Sequence, residues 1–537
     1  MVDRGMPKVG VDDFLAAGGT VKDLLDLATD VVVAEKGHSS NDRPIIITSG
    51  RHMRDVSEEA RHLLRPQDGA GPKFFRRGET LVELVIERGS EQVRILTLDV
   101  LRGRLARMAD FMRYDQSGKM RPTLPPAPIV KDILAIADPG VPELKMVADH
   151  PVVALGGNLI TTEGYHSGSG IYLRRGVGLA GQKRMGPGEA IDLIFNELLA
   201  DFPFADIPSR AHALALMVEP IVRPLIAGTT PLHLVHATVP GTGKGLLVEV
   251  ISTVVTGAPP VLMGPPRDDV ELDKRLTAAL LIGQPFIHFD NVASLRSGTL
   301  AAVLTTPWWQ GRRLGVSEMV SVPNDATFTA TGNNVEVSDE LKRRVVIIRL
   351  DPEEEKPERR QGFRHLLPEW AAANRARLLN ALVSLVSAWL AAGMPSGKAT
   401  LGRYESWARI VGGVLDVAGM PGLLGNRDWL DSAADHVTSE WNAVVKAWWD
   451  RFGESPIRAG ELLLLVSDYG LLVDIRAGRF IIGAEHERFS ACFSTYRGPV
   501  DGSADHWGSR LRSNRRVAID TGPFGSTDRG IRLSDTG

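Results

Sequence analysis

The chain has 537 residues, with 62 Lys and Arg against 65 Asp and Glu, a net charge of −3 and a single cysteine, Cys492. At roughly 150 residues per domain this length fits three or four domains, and a composition of 43% apolar and 24% charged residues excludes a disordered chain. One cysteine forms no internal disulfide, no Cys/His cluster has zinc spacing, and no apolar run nears the roughly 18 residues of a membrane span. A cytoplasmic protein with no membrane partner is expected. The near-neutral balance excludes a uniformly basic coat and confines any nucleic-acid contact to local patches.

Thr20, Asp23 and the stripe Leu24, Leu27 and Ala28 predict a helix within a 1–36 segment, and GHSSNDR (Gly37–Arg43) reads as a linker. Residues 44–187 read as an α/β and hairpin region. A strand is expected at Ile45–Thr48, a helix at Met53–Leu64, a hairpin around Gly89 and Ser90, and a helix at Leu98–Arg113. PTLPPAP (Pro122–Pro128) reads as a stiff connector, followed by Gly-rich hairpins to about Gly188.

Helical periodicity at Ala190–Leu199 and Ala211–Leu225 leads into an apolar strand, Leu232–Ala237. Strands and helices then alternate to Asp351, which predicts an α/β core with a parallel sheet over 188–352. PEEEKPERR closes that core, a helical subdomain follows over 353–428, and 429–537 reads as a separate small domain.

The strand Leu232–Ala237 runs directly into Pro240, Gly241, Thr242, Gly243, Lys244, Gly245 and Leu246, the strand, Gly-rich turn and helix start that a phosphate-binding loop requires. Glycines let backbone N–H groups turn toward phosphate oxygens, and the helix N-terminus adds its dipole. Lys244 would reach the β- and γ-phosphates of ATP. Thr238 stands where the usual pattern opens with Gly, and Gly245 stands where Ser or Thr would bind Mg²⁺.

Asp290 ends the apolar strand PFIHFDN, where a carboxylate holds Mg²⁺ through water in such ATPases, while its neighbour Asn291 replaces the acidic residue that often activates water. The strand Thr327–Ala330 delivers Thr331-Gly332-Asn333-Asn334, and Asn333 is the polar side chain that would orient the attacking water. Arg343 and Arg344 then lead into the strand Val345–Leu350. Paired arginines also occur as ordinary solvated surface.

Taken together, GTGKGLL, HFDN, WWQGRRLG, TGNN and DELKRRVVIIRLD, with LGRYESWARIVGGVLDVAGMPGLLGN (Leu401–Asn426), resemble the helicase portion of plasmid, phage and integrative-element primase-helicases. These are similar to superfamily 3 and wider AAA+ ATPases, and the likeness covers about Gly188 to Asn426. The resemblance implies a P-loop AAA+ core, ATP and Mg²⁺ as cofactors, and a homo-hexameric ring acting on single-stranded and duplex DNA. It makes Lys244 the Walker A lysine, Asp290 the Walker B acid, Asn333 the sensor, and Arg343 or Arg344 the arginine finger. Val9–Ala28 resembles the segment that follows the primase region in larger relatives, and Asp12 and Asp13 read as charge at a helix start, so priming is expected of a separately encoded partner.

WWQGRRLG lies where ring helicases often carry a channel hairpin. There Arg312 and Arg313 would hold phosphate and Trp308 or Trp309 would stack on a base, with at least one of the two tryptophans in the core. Trp441, Val444, Val445, Trp448 and Phe452 mark a first C-terminal helix, followed by helices at Ala459–Val466 and Ser503–Ser513 and a terminal hairpin around GPFGSTDRG. That outline predicts a winged helix with Arg510, Arg512, Arg515 and Arg516 on DNA. An alternative function is a nucleotide-bound replication initiator or loader that hydrolyses slowly or not at all, and Gly245 and Asn291 favour it. A nucleoside-monophosphate kinase fits less well, because Leu246 stands where its loop needs Thr.

Overall fold

The computed structural model describes residues 43–66, 71–87, 90–136, 138–174, 179, 181–264, 268–312, 319–352 and 357–430, together with 447–448, 450–452, 457–458, 464–465, 516–520 and 530–536. Val9–Ala28, most of the linker, Cys492 and the third C-terminal helix lie outside the described residues. So do Arg313, Arg510, Arg512 and Arg515.

The chain opens with β1 (Ile45–Ile47) and α1 (Met53–His62), then a meander of β2 (Phe74–Arg77), β3 (Thr80–Glu87) and β4 (Ser90–Ile95). It continues through α2 (Leu98–Met108), β5 (Asp110–Tyr114), β6 (Met120–Pro122) and α3 (Ala127–Ala135). Two compact units result: one takes Leu96–Val141 with the chain up to Phe74, the other Phe75–Ile95 with the chain from Pro142 onward.

In the first unit β1 pairs parallel with β5, and β5 pairs antiparallel with β6. This corrects two sequence expectations. The helix begun at Leu98 stops at Met108, because Ala109 is extended (φ −143°, ψ 155°) and Asp110–Met112 align with Ile45–Ile47. Phe111 is buried there, and the aromatic, β-forming run after Ala109 follows the pairing instead of the helical period. The proline-rich stretch is likewise no simple connector. Pro122 ends a strand and Pro128 sits in the first turn of α3, where a missing N–H costs nothing.

The second unit contains short strands β7 (Met146–Ala148), β8 (Val152–Val153), β9 (Leu159–Ile160), β10 (Gly164–His166) and β11 (Ile171–Leu173). Next come α4 (Pro187–Asp192), which passes into a π-helical turn (Leu193–Leu198), and α5 (Ile207–Val222), closed by a 3₁₀ turn at Arg223–Leu225. The core follows as β12 (Leu232–Ala237), α6 (Lys244–Thr256), β13 (Val261–Met263), α7 (Asp269–Leu281), β14 (Phe286–Phe289), β15 (Ser294–Leu295), α8 (Gly298–Val303), the hairpin β16 (Trp308–Arg312) and β17 (Met319–Pro323), β18 (Thr327–Asn333), β19 (Glu336–Val337), α9 (Asp339–Lys342) and β20 (Val345–Leu350). Helices α10 (Glu369–Ala373), α11 (Arg375–Ala391) and α12 (Glu405–Val417) complete it.

Five strands form one parallel sheet in the order β13-β14-β18-β12-β20. Both faces are covered, which is why its strands read as almost unbroken apolar runs. Leu232 and Leu234 of β12 join one hydrophobic cluster with α7, α8 and the β16–β17 hairpin, while Val235 and Ala237 join another with α5, α6, α11 and α12. The period-2 alternation of a strand produces this division. The result is a mixed α/β protein with a P-loop-like core.

Among the described C-terminal residues, β21 (Ile457–Arg458), β22 (Arg516–Asp520) and β23 (Gly530–Thr536) form a small antiparallel sheet in the order β21-β23-β22. Trp448 is fully buried. No helix among the described residues is long and apolar enough to cross a membrane.

Candidate functional site

The site gathers at the carboxyl ends of β12, β14 and β18, where neighbouring parallel strands release their loops on the same side. After β12 the chain turns through Gly241 (φ +79°) and Gly243 (φ +84°), both in the left-handed region that a side chain resists. Gly243 caps α6, and a Cβ at that position would stand 3.5 Å from the ring of Phe202. The first free N–H groups of α6 therefore open onto the turn. At the far end of that helix Arg375 donates to the carbonyls of Val254 (3.2 Å) and Val255 (2.9 Å), satisfying its last turn.

Lys244, the first residue of α6, donates from Nζ to Asn333 Oδ1 at 2.6 Å and to Thr242 Oγ1 at 3.2 Å. Burial pushes the pKa of this ammonium below its ordinary value, with Asp290 acting in the opposite direction. Asn333 ends β18, the strand inserted between the one that leads to Lys244 and the one that leads to Asp290.

Asp290 is half exposed, at 48% for its side chain, and its Oδ1 accepts from Thr331 Oγ1 at 2.7 Å. The same hydroxyl accepts the backbone N–H of Asn291 at 3.0 Å and so helps hold Asn291 in its left-handed conformation (φ +51°). His288, two residues before Asp290 on β14, lies 3.8 Å from that carboxylate and 2.9 Å from Thr329 Oγ1. Gly332 is required by close approach, since a Cβ there would stand 2.2 Å from the carbonyl oxygen of Val292.

Sequence reasoning assigned no role to Thr331 or His288. Strand alternation is the signal that finds them: Thr331 shares a face with Asn333, and His288 shares one with Asp290.

The other candidate residues lie apart from this cluster. Arg343 follows α9 and is exposed, with no ion pair or hydrogen bond from its side chain to the described residues. Arg344 donates to Glu340 Oε1 at 2.8 Å and is largely covered. Arg312 is exposed at the end of β16. Along that strand exposure alternates, so Trp308 is 48% exposed whereas Trp309 is buried and donates from Nε1 to Thr277 Oγ1 at 2.9 Å. Arg516 begins β22.

The residues present fit a nucleotide's phosphates: two left-handed glycines, an open helix N-terminus and a half-buried ammonium converge on one turn. For a divalent cation the donor set is leaner. Asp290 is the one carboxylate assigned to the site, Gly245 has no hydroxyl, and no cluster of three His, Cys, Asp or Glu among the described residues could hold a metal by itself.

No family model and no curated protein matches the chain. Solved structures do. The chain is similar to the A form apo structure of the NrS-1 C-terminal region, with 12% identity over 84% of this chain and 96% of that one and a TM-score of 0.34. A second A form apo structure of that region, spanning 305–718, matches at 11% identity with the same coverages and a TM-score of 0.30. JCV helicase bound to a thiazolopyridine-phenoxyphenyl acetamide matches at 12% identity over 48% of this chain and 69% of that one, with a TM-score of 0.21.

Proposed function

We propose that the protein is an ATP-dependent, ring-forming DNA helicase or translocase that serves replication of a mobile element. One observation carries the reading: Lys244, Asp290 and Asn333 emerge from the same end of three adjacent parallel strands, with the Asn333 strand in the middle. That order is the one an AAA+ core requires, and residues 188–352 are proposed as that core, with 353–428 as its helical subdomain.

In this reading the N–H groups from Gly241 to Leu246 hold the β- and γ-phosphates of ATP. Lys244 exchanges its bond to Asn333 for phosphate oxygens, anionic partners that offset the burial disfavouring its charge. Asn333, once released, orients the attacking water. Asp290, aligned by Thr331, would hold Mg²⁺, which when bound neutralises phosphate charge. Arg343 is free to reach a neighbouring subunit's nucleotide. Residues 429–537 are proposed as a winged-helix-like module using Arg510, Arg512, Arg515 and Arg516 on duplex DNA. Arg312 and Arg313 would contact the single strand, and a separate primase would supply primers.

A second reading, a nucleotide-bound initiator or loader with slow or no hydrolysis, is favoured by two positions. Gly245 offers no metal-binding hydroxyl, and Asn291 cannot accept a proton. ATP turnover with and without single-stranded DNA decides between them. DNA-stimulated turnover supports the motor, whereas ATP-dependent DNA binding without turnover supports the loader.

A further inference from the structure

We propose that the cleft at the foot of the β16–β17 hairpin binds a flat, uncharged heteroaromatic ring, a nucleobase. The proposal deepens the reading above, because it says how a single strand would be gripped away from the phosphate site. The cleft encloses about 740 Å³ between the short strands that follow Glu143 and the residues flanking the hairpin. It lies toward the amino ends of the sheet strands, since Pro323, Asn324 and Asp325 precede β18 and Arg223 precedes β12.

Three rings line it, Tyr165, His166 and Trp308. Two are held before any ligand arrives. Tyr165 donates its hydroxyl to the Glu143 carbonyl at 2.8 Å and packs edge-on against Phe75 at 5.2 Å, and His166 Nε2 lies 2.7 Å from the Thr162 carbonyl. Trp308 is the third, turned out of the core by the strand alternation that buries Trp309. Rigid rings at a cleft reduce the ordering that binding must overcome.

The charges explain why the ligand is a ring and not a phosphate. Lys145 lies 3.8 Å from Glu143, and Asp325 accepts from Arg77 at 3.1 Å. Arg223 donates to the carbonyls of Ile226, Gly228 and Asn324. Each charge in the lining already has a partner. Two polar atoms in these walls do not: Arg223 Nε, a donor, and Asn324 Oδ1, an acceptor whose own amide donates to Val303 and Thr306. Both atoms are covered by their neighbours, so the cleft offers a ligand its rings and the apolar side chains of Met146, Leu155 and Ile160 and not an open charge.

The test titrates the full-length protein, without ATP, with a labelled oligothymidylate, an abasic strand of equal length, and free thymidine. Base stacking predicts that Trp308→Ala weakens oligothymidylate binding about 5- to 150-fold with an unchanged salt slope, and that Trp308→Phe retains most of it. The abasic strand should bind both proteins equally. Trp308-dependent binding of thymidine alone would assign the ring site to free nucleosides instead of a strand. Equal loss on the abasic strand, or no loss on any ligand, overturns the proposal. So does a change in sedimentation with base binding intact, which would make the cleft a protein interface. ATP turnover of the wild type, measured separately with and without single-stranded DNA, tests the motor reading, so the two can fail independently.

Discussion

Lys244 Nζ and Asn333 Oδ1 lie 2.6 Å apart although 89 positions separate them in the chain. The contact closes the gap between the start of α6 and the end of β18 and engages the lysine that the phosphate reading needs. An ammonium half-buried against a neutral amide has its charge only partly compensated, which is why its pKa is lowered by burial. A phosphate arriving at the turn would improve on that partner.

Lys244→Ala should therefore reduce ATP turnover by about 10²-fold or more, the scale of losing one preorganised charge donor. Asn333→Ala should keep ATP binding, since it frees the lysine, while lowering turnover. Nucleotide titration and steady-state hydrolysis of the two variants measure the difference. Equal binding and turnover in wild type and Lys244→Ala removes the phosphate assignment.

Gly245 lies in the first turn of α6, and nothing stands within 4 Å of a Cβ built on it. A serine is accommodated without displacement, and it relieves a helix of a glycine that costs roughly 0.5–1 kcal/mol relative to alanine. Gly245→Ser should tighten Mg²⁺-dependent ATP binding on the order of tenfold, the scale of one hydrogen bond to a charged group. Calorimetry with and without Mg²⁺ reads it. Affinities that respond to neither the serine nor the metal place the cation elsewhere.

The arginine pair divides by environment. Arg344 is tied to Glu340 four residues away, an ion pair worth at most about 1 kcal/mol, so Arg344→Ala should alter stability slightly and spare turnover. Arg343 is exposed and has no side-chain partner among the described residues, and Arg343→Ala should bind ATP but lose about 10³-fold or more in rate if it completes a neighbour's site. Mixed with Lys244→Ala protein it should regain turnover, because some interfaces then pair an intact lysine with an intact arginine. No recovery between two folded, singly inactive variants counts against a shared site.

Glu219 is fully buried beneath the sheet, where His233 lies 2.9 Å from it, Trp407 Nε1 donates at 2.7 Å and Thr327 Oγ1 donates at 2.9 Å. It joins α5, β12, β18 and α12 in one polar knot. Burial alone pushes its carboxyl up, but His233 and the hydroxyls of Thr230 and Thr327 together offset this and the net direction is down. A carboxyl lowered in the fold contributes stability above its ordinary pKa of 4.5, lost as pH falls through the lower folded value. Glu219→Ala, which leaves three buried groups unanswered, should cost about 3–5 kcal/mol. Thermal melts across acid pH should show a large drop in Tm for Glu219→Ala and a smaller one for Glu219→Gln. Equal melts for all three proteins would mean that the knot contributes nothing.

Much of this was legible in the chain itself. The runs LHLVHA and VVIIRL became β12 and β20 with the limits their apolar spans imply, because a mostly apolar six-residue run between turn signals has few alternatives to a buried strand. The glycine-rich turn was legible for a similar local reason: alternating glycines permit a left-handed backbone that few other residues adopt. Tertiary structure decided what depends on partners distant in sequence. Pairing with β1 turned Asp110–Met112 from helix to strand, and the hairpin's register sent Trp309 into the core and Trp308 out. Sheet order brought Asn333 to Lys244 and Thr331 to Asp290. Local patterns set which elements form, since propensity and periodicity act over a few residues. Which side chains meet at a site depends on strand order and packing, which are settled only when distant segments exclude water together.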